Sequence, residues 1–111
     1  MHLLNIKPLS LNAAYRGRRF STPELKAFKS AVYLQLPKIK IPEGKLSVTY
    51  HFGVSTKNSD VDNLVKAFQD CVADAYGFND KRIYQISVQK VDAKKGEEYI
   101  AFEIRKFTGF S

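Results

Sequence analysis

Apolar residues recur at the helical period of about 3.6 residues in two stretches of the chain. The first stretch begins at Ser21-Thr22-Pro23-Glu24, which matches a capping box with proline in the first helical turn, and runs to about Leu36. The second spans roughly Asp60 to Tyr76 and is followed by Gly77, which suits a left-handed C-cap. The two apolar stripes are Leu25, Phe28, Val32 and Leu36, and then Val61, Leu64, Val65, Phe68, Val72 and Ala75. This pattern predicts two amphipathic helices.

Polar and apolar residues alternate in further stretches, as they do in half-buried strands. The predicted strands are residues 2–6, 45–54, 82–91 and 98–107. Lys94-Lys95-Gly96 predicts a hairpin turn that would pair the last two strands antiparallel. The order β-α-β-α-β-β therefore predicts an α+β fold, with a mixed sheet of about four strands and two main helices. A chain of 111 residues without a linker-like segment predicts a single domain over residues 1–111.

The charge balance narrows the class of partner. Eighteen Lys and Arg residues against eleven acids give a net charge of +7, which makes nucleic acid the leading partner class. An anionic membrane is a weaker candidate, and a basic protein that binds neither stays an alternative. No basic amphipathic helix with a strong apolar face stands apart from the core, and no segment has the apolar length of a membrane span, so no membrane partner is expected. The single cysteine, Cys71, lies in a helical pattern and fits a reducing, cytoplasmic setting.

Arginines and aromatic residues alternate in the segment before the first helix. Arg16, Arg18 and Arg19 lie between Tyr15 and Phe20. Guanidinium groups bind phosphates and rings can stack on bases, so these arginines and the loop residue Lys57 are candidate DNA-backbone contacts. A solvated loop whose aromatic residues pack on the core is an equally good interpretation of the same segment.

The acidic residues are concentrated where the second helix is predicted. Five of the eleven acids fall between Asp60 and Asp80. Asp60 and Asp62 stand at the strand-to-helix junction, and Asp62, Lys66 and Asp70 are spaced i, i+4, i+8 on one polar strip. Carboxylates are the ligands that Mg²⁺ prefers, and bound metal could activate water and polarise a phosphodiester. A neighbouring lysine could offset charge in the transition state, and Asn63 could orient a ligand.

The same acids also have a purely structural interpretation. Ser59 and Asp62 fit a capping box, and acids in the first turn favour the helix dipole. Asp62, Lys66 and Asp70 fit an ordinary ladder of ion pairs along a helix. A helix of about 15 residues is also roughly 22 Å long, which separates Asp60 and Asp62 from Asp80 beyond its end. If the three acids share one metal, a shorter helix, a sharp bend or a second subunit must close that gap.

The whole set of residues resembles the RusA family of Holliday junction resolvases. The resemblance is carried by Asp60-Val61-Asp62-Asn63-Leu64-Val65-Lys66, by Asp70 and by Gly77-Phe78-Asn79-Asp80, together with Asn12 and Tyr15-Arg16 near the start. It implies a RusA-like fold and a small homodimeric endodeoxyribonuclease. Such an enzyme would use Mg²⁺, with Mn²⁺ as a possible substitute, to make paired symmetric nicks in four-way junctions during recombination and repair.

The resemblance also implies roles for individual residues. Asp60, Asp62 and Asp80 match the catalytic, metal-binding aspartates, and Lys66 matches the essential lysine. Asp70 matches a recurring acid of secondary rank. Asn79 stands where the family has an acid, which puts any contribution of that acid to metal binding in doubt. Two alternatives stay open beside the resolvase: a non-catalytic nucleic-acid-binding module, and a metal-dependent nuclease of other branched DNA or of RNA.

Overall fold

The structure, a computed structural model, describes residues 1–10, 23–57 and 60–109. Within these residues the elements are β1 (His2–Leu4), α1 (Pro23–Gln35), β2 (Leu46–Val54), α2 (Val61–Tyr76), a 3-10 turn (Asp80–Arg82), β3 (Ile83–Asp92) and β4 (Tyr99–Lys106). The α+β class and the element order are thus confirmed. The predicted arginine segment at 16–19 and the capping residues Ser21 and Ser59 lie outside the described residues.

Helix α2 buries Leu64, Phe68 and Val72 of the predicted apolar stripe and ends at the predicted glycine, whereas Ala75 of that stripe is exposed. Gly77 has φ 71° and ψ 35°, a left-handed conformation that glycine adopts without steric cost. The Phe78 N–H then donates to the Ala73 carbonyl at 3.0 Å, and the Phe78 side chain is buried. This C-cap stops the helix and turns the chain sharply, so Asp80 follows within a few residues of the helix end.

The sheet order is β1-β4-β2-β3, so the predicted hairpin between the last two strands is wrong. Strands β2 and β3 pair in parallel, whereas β4 pairs antiparallel with β2 on one side and with β1 on the other. The connection after β3 crosses the end of β2, where the Ala93 N–H donates to the Val54 carbonyl at 2.8 Å. Crossing one strand requires only about 10 Å, which a short connection can span.

The burial of the two last strands explains their separation. In β4, Ile100 and Phe102 are fully buried, as a central strand requires. Strand β3 instead alternates its apolar residues with Gln85, Ser87 and Gln89, a composition that an exposed edge tolerates. Strand β3 therefore lies at the edge of the sheet with its outer backbone groups free of any described strand.

Both helices contribute to one core against one face of the sheet. Phe28 and Val32 of α1 and Phe68 of α2 share a single buried cluster with the inward residues of β2 and β4. Phe68 packs edge-on against Tyr50 and Phe102, with ring centroids 5.5 and 5.6 Å apart, a favourable aromatic geometry. The core thereby fixes α2 firmly on the sheet.

The other face of the sheet, called the open face below, carries mostly polar side chains. Ser47, Thr49 and His51 of β2 lie there, opposite Arg105, Glu103 and Ala101 of β4. His51 thus lies on the polar side of β2, as its place in the alternation predicts. None of the described helices is long and apolar enough to cross a membrane.

Candidate active site

The junction between β2 and α2 presents two carboxylates at the surface. Asp60 is the N-cap residue of α2 by its backbone conformation (φ −75°, ψ 139°), and its carbonyl accepts from the Leu64 N–H at 3.2 Å. Its carboxylate makes no capping hydrogen bond, although capping is what an aspartate at this position commonly does. Asp62 lies in the first turn and is exposed. Both carboxylates are therefore available to a ligand.

These acids line a groove between α2 and the edge strand β3. The groove encloses about 680 Å³, and its lining consists of Asp60, Val61, Asp62, Val65, Lys66, Gln69, Ile86 and Val88. The polar residues come from one strip of α2, and the apolar walls come from Val61, Val65 and the inward side of β3. The groove is thus an apolar trough with an acidic end and a lysine along one side.

Lys66 makes none of the ion pairs that the structural interpretation requires. Within the described ranges, no ion pair joins its ammonium to Asp62 or Asp70. The next polar residue on the strip is held in place, because the Tyr50 hydroxyl donates to the Gln69 side-chain oxygen at 3.0 Å. Gln69 was not predicted, although its spacing of seven residues from Asp62 places it on the same strip. Lys66 is free to bind an anion in the groove.

Asp80 lies at the opposite end of α2, in a second groove of about 510 Å³ that it shares with Asp70, Asp74 and Asn79. The Asn79 side-chain oxygen accepts from the Lys81 N–H at 2.9 Å and so caps the turn that begins at Asp80. Asparagine and aspartate cap equally well. The departure from the family pattern at Asn79 thus preserves the local geometry that presents Asp80.

The pKa of the Asp70 carboxyl is affected by charged groups on both sides of it, Lys66 on one side and Asp80 on the other. Partial desolvation against the helix raises the pKa of its carboxyl, and the nearby charge of Asp80 raises that pKa further. Lys29 and Lys66 act in the opposite direction and lower it. Asp70 is therefore close enough to feel both Lys66 on one side and Asp80 on the other, while its side chain remains largely exposed.

Asp74, which is assigned no role by its spacing, has a structural partner. The Tyr33 hydroxyl of α1 donates to its carboxylate at 2.7 Å, and this bond, with desolvation and the charge of Asp74, raises the pKa of Tyr33 to about 12. Cys71 is buried, and desolvation raises the pKa of its thiol to about 11. Asp74 therefore ties α1 to α2, and Cys71 fills the core as a neutral thiol.

The described residues contain no group of three or more His, Cys, Asp or Glu side chains placed to hold a metal ion. The single chain thus brings Asp60 and Asp62 together with Lys66, and Asp80 together with Asp70, but does not unite the two sets. Two carboxylates at the mouth of a groove still fit a hard cation, because Mg²⁺ takes one or two carboxylates and completes its shell with water and phosphate.

Two lysines lie where the chain enters this end of the groove. Lys57 is exposed, and its carbonyl accepts from the Lys90 ammonium at 3.4 Å. Lys90 follows Ile86 and Val88 at the period of two along the same side of β3, the signal by which the sequence could have indicated it. Neither lysine lines the groove itself. The predicted contacts Arg16, Arg18 and Arg19 lie outside the described residues.

A comparison with known protein families identifies the family of this chain, and the result agrees with the geometry of the site. The model of the family described as endodeoxyribonuclease RusA matches residues 8–103. The protein is therefore an endodeoxyribonuclease. Within that class the chain belongs to the RusA family, whose members resolve Holliday junctions, so the resemblance carried by Asp60 to Asp80 is confirmed. No curated protein matches the chain.

Proposed function

We propose that this protein is a Mg²⁺-dependent resolvase that cuts four-way DNA junctions by paired symmetric nicks. The observation that carries the proposal is the set Asp60, Asp62 and Lys66 on one side of a groove, with both carboxylates outside any cap bond and the lysine outside any ion pair with Asp62 or Asp70. Residues used only for capping and ion pairing would be engaged in those bonds. The family match supports the same conclusion.

Each residue has a defined task in this mechanism. Asp60 and Asp62 would hold the metal through their carboxylate oxygens. Mg²⁺, when bound, supplies Lewis-acid polarisation of the phosphodiester and an activated water. Lys66 binds a phosphate oxygen and stabilises the charge that develops on it in the transition state. Asn63 and Asp70 have supporting roles, and Mn²⁺ fits the same oxygen ligands.

Asp80 enters the mechanism from a second subunit in our proposal. Helix α2 has 16 residues, which at about 1.5 Å per residue separates its ends by about 24 Å. Two copies related by a two-fold axis, with their α2 helices antiparallel, would bring Asp80 of each subunit toward Asp60 and Asp62 of the other. Ile86 and Val88, exposed by 46% and 36% along the groove, supply apolar surface for such contact. The dimer would carry two sites, one for each nick.

Asp62→Asn tests the catalytic assignment. The variant removes a metal-binding charge at an exposed position, so we expect it to fold and to bind a labelled junction while losing Mg²⁺-dependent nicking by at least about 100-fold. Gel-based cleavage and fluorescence anisotropy measure the two properties. Glu97→Gln, an exposed acid in the connection after β3, is the matched control and should cut normally. Cleavage by Asp62→Asn at the wild-type rate would refute the assignment.

A panel of substrates separates the resolvase from a nuclease with another target. Wild-type protein is incubated with a four-way junction, a three-way junction, continuous duplex, single-stranded DNA and RNA. We expect cleavage of the four-way junction in two strands of like polarity at equivalent positions. Equal cleavage of RNA or of plain duplex would exclude junction resolution as the main activity.

A further inference from the structure

Tyr84 is an aromatic side chain that the fold turns outward. The register of β2 and β3 shifts between Leu46, which pairs with Ile83, and Ser47, which pairs with Gln85. Tyr84 is the extra residue of this β-bulge, and bulges commonly redirect a side chain. Tyr84 as a whole is 59% exposed, so the bulge presents this residue to solvent instead of the core.

Two neighbouring side chains contact the ring of Tyr84. Phe107 lies beside it with ring centroids 5.7 Å apart and an interplanar angle of 32°, and the Lys45 ammonium sits 4.7 Å from the Tyr84 centroid. Lys45 and Phe107 are joined directly, because the Phe107 N–H donates to the Lys45 carbonyl at 2.9 Å. We call Lys45, Tyr84 and Phe107 the stacking cluster.

The backbone around the stacking cluster is braced by Arg82. Its guanidinium donates to the Gly44 carbonyl at 2.8 Å and to the Pro42 carbonyl, which fixes the segment that leads into Lys45. Cations outnumber acids in the elements that meet here. Lys45, Lys81, Arg82, Arg105 and Lys106 stand against Glu43, Asp80 and Glu103, and Arg105 bonds Glu103 at 2.8 Å. The surroundings therefore suit a polyanion.

We propose that the stacking cluster binds an unpaired base of branched DNA, an inference that rests on the proposed function for its substrate. A base would stack on the face of Tyr84 that Lys45 covers, since all bases present a π-face to an aromatic ring. The Lys45 ammonium would move from the ring to the adjacent phosphate and keep a favourable charge contact. Phe107 lies beside the ring, with centroids 5.7 Å apart, and adds a second aromatic surface to the cluster.

This surface is separate from the groove that holds Asp60 and Asp62. That groove lies on the helix side of β3, where Ile86 and Val88 point. Tyr84 and Phe107 instead line a separate hollow with Gln85, whose register partner Ser47 lies on the open face. Tyr84 follows Asp80 by four positions, through the 3-10 turn. A strand whose base is held on Tyr84 would thus pass close to Asp80.

A tryptophan at this position provides the test. The chain contains no tryptophan, so Tyr84→Trp creates a single fluorescent reporter. With Ca²⁺ in place of Mg²⁺, a synthetic four-way junction should quench the emission of the introduced indole by about half or more through base stacking. Continuous duplex of the same length should quench it much less. Leu34→Trp, on the exposed side of α1, is the control and should be quenched by neither.

Affinity variants complete the experiment. Tyr84→Ala should weaken junction binding by about tenfold, Tyr84→Phe should bind as the wild type does, and Leu34→Ala should have no effect. Junction binding by anisotropy without quenching in the Tyr84→Trp variant, or equal quenching by duplex, would overturn this inference and leave the proposed function standing. Absence of junction binding would overturn both. Emission from the Tyr84→Trp variant that is already blue-shifted without DNA and depends on protein concentration would overturn the inference by assigning the surface to a second copy.

Discussion

Asp60 adopts the N-cap conformation yet leaves its carboxylate outside the cap, and Lys66 forms no ion pair with Asp62 or Asp70 among the described residues. Neither charged group is engaged in the bond that its position on the helix would allow, as the proposed binding roles require.

Asp70 carries a testable consequence at this scale. Its carboxyl pKa in the folded chain lies above the ordinary value because of desolvation and the charge of Asp80. The folded state therefore holds a proton more readily than the unfolded state, and stability is lost as pH rises from the ordinary value of about 3.9 through the raised value. Asp70→Asn removes that loss, so it should stabilise the protein near neutral pH and have little effect at low pH.

The gain from Asp70→Asn should be below about 1 kcal/mol, because solvent screens charges at a largely exposed carboxyl. Urea unfolding of both proteins between about pH 4 and about pH 7 measures it. Glu97→Gln provides a control whose effect should not change with pH. A stability difference between Asp70→Asn and wild type that is larger at the acidic end than at neutral pH would contradict the assigned direction.

At the scale of elements, one glycine allows the close contact between strands β2 and β4. A Cβ added at Gly53 would lie 2.3 Å from the Cδ1 and Cε1 atoms of the Tyr99 ring, its register partner on β4. Gly53→Ala should therefore destabilise the protein by about 1–3 kcal/mol through overpacking. Thermal or urea unfolding measures the loss.

A double variant tests whether contact with the Tyr99 ring is the cause of the lost stability. Gly53→Ala combined with Tyr99→Val removes the clashing ring, so the double variant should lose clearly less than the sum of the two single losses. Strictly additive losses would mean that Gly53 is required for its backbone conformation and not for contact with Tyr99.

The elements were predictable where their signals are local. The helical spacing of apolar residues in α2 and the glycine that ends the helix are signals within one short stretch of sequence. Both the helix and its C-cap are confirmed. The strand with which another strand pairs cannot be deduced from neighbouring residues alone. Here β3 and β4 show similar alternation and are joined by a segment with a turn-like glycine, as the two strands of a hairpin would be. Which strand each one joins depended on burial across the whole sheet, and the hairpin prediction failed there.

The same contrast applies to the candidate site, where some features follow from local sequence and others do not. The shared strip of Asp62 and Lys66 on α2 follows from helical spacing, and the separation of Asp80 from it follows from helix length. The apolar wall formed by Ile86 and Val88 could not be foreseen, because those residues would be covered if β3 were an inner strand. Sequence therefore predicts the chemical groups better than the surface that surrounds them.

At the scale of the whole molecule, the separation of the acids makes a prediction about assembly. In a shared site, the Asp62→Asn and Asp80→Asn homodimers each have two defective sites. A mixed dimer instead contains one site with both residues intact and one site with neither. Mixing the two inactive variants should therefore restore nicking of a single strand per junction, to at most about half of the wild-type rate.

Denaturing gels of junctions labelled on each strand measure that restoration. Adding Ile86→Lys to both variants should abolish it, because a charge on the exposed apolar edge would weaken contact between copies. Leu34→Lys, at a position 88% exposed on α1, is the control and should leave restoration intact. Mixed variants that form dimers yet stay inactive would show that each site belongs to one chain.

The position of β4 has a consequence for how the protein is made. Among the described strands, β4 is the last to leave the ribosome; it lies between β1 and β2, and β1 pairs with no other described strand. Contacts between residues so far apart in the chain form late, because closing such a long loop is entropically costly. During synthesis, the apolar row of β2 must therefore wait for β4. A nascent chain stalled before β4 would expose that row to chaperones and proteases, and this sheet would be completed only after β4 has been translated.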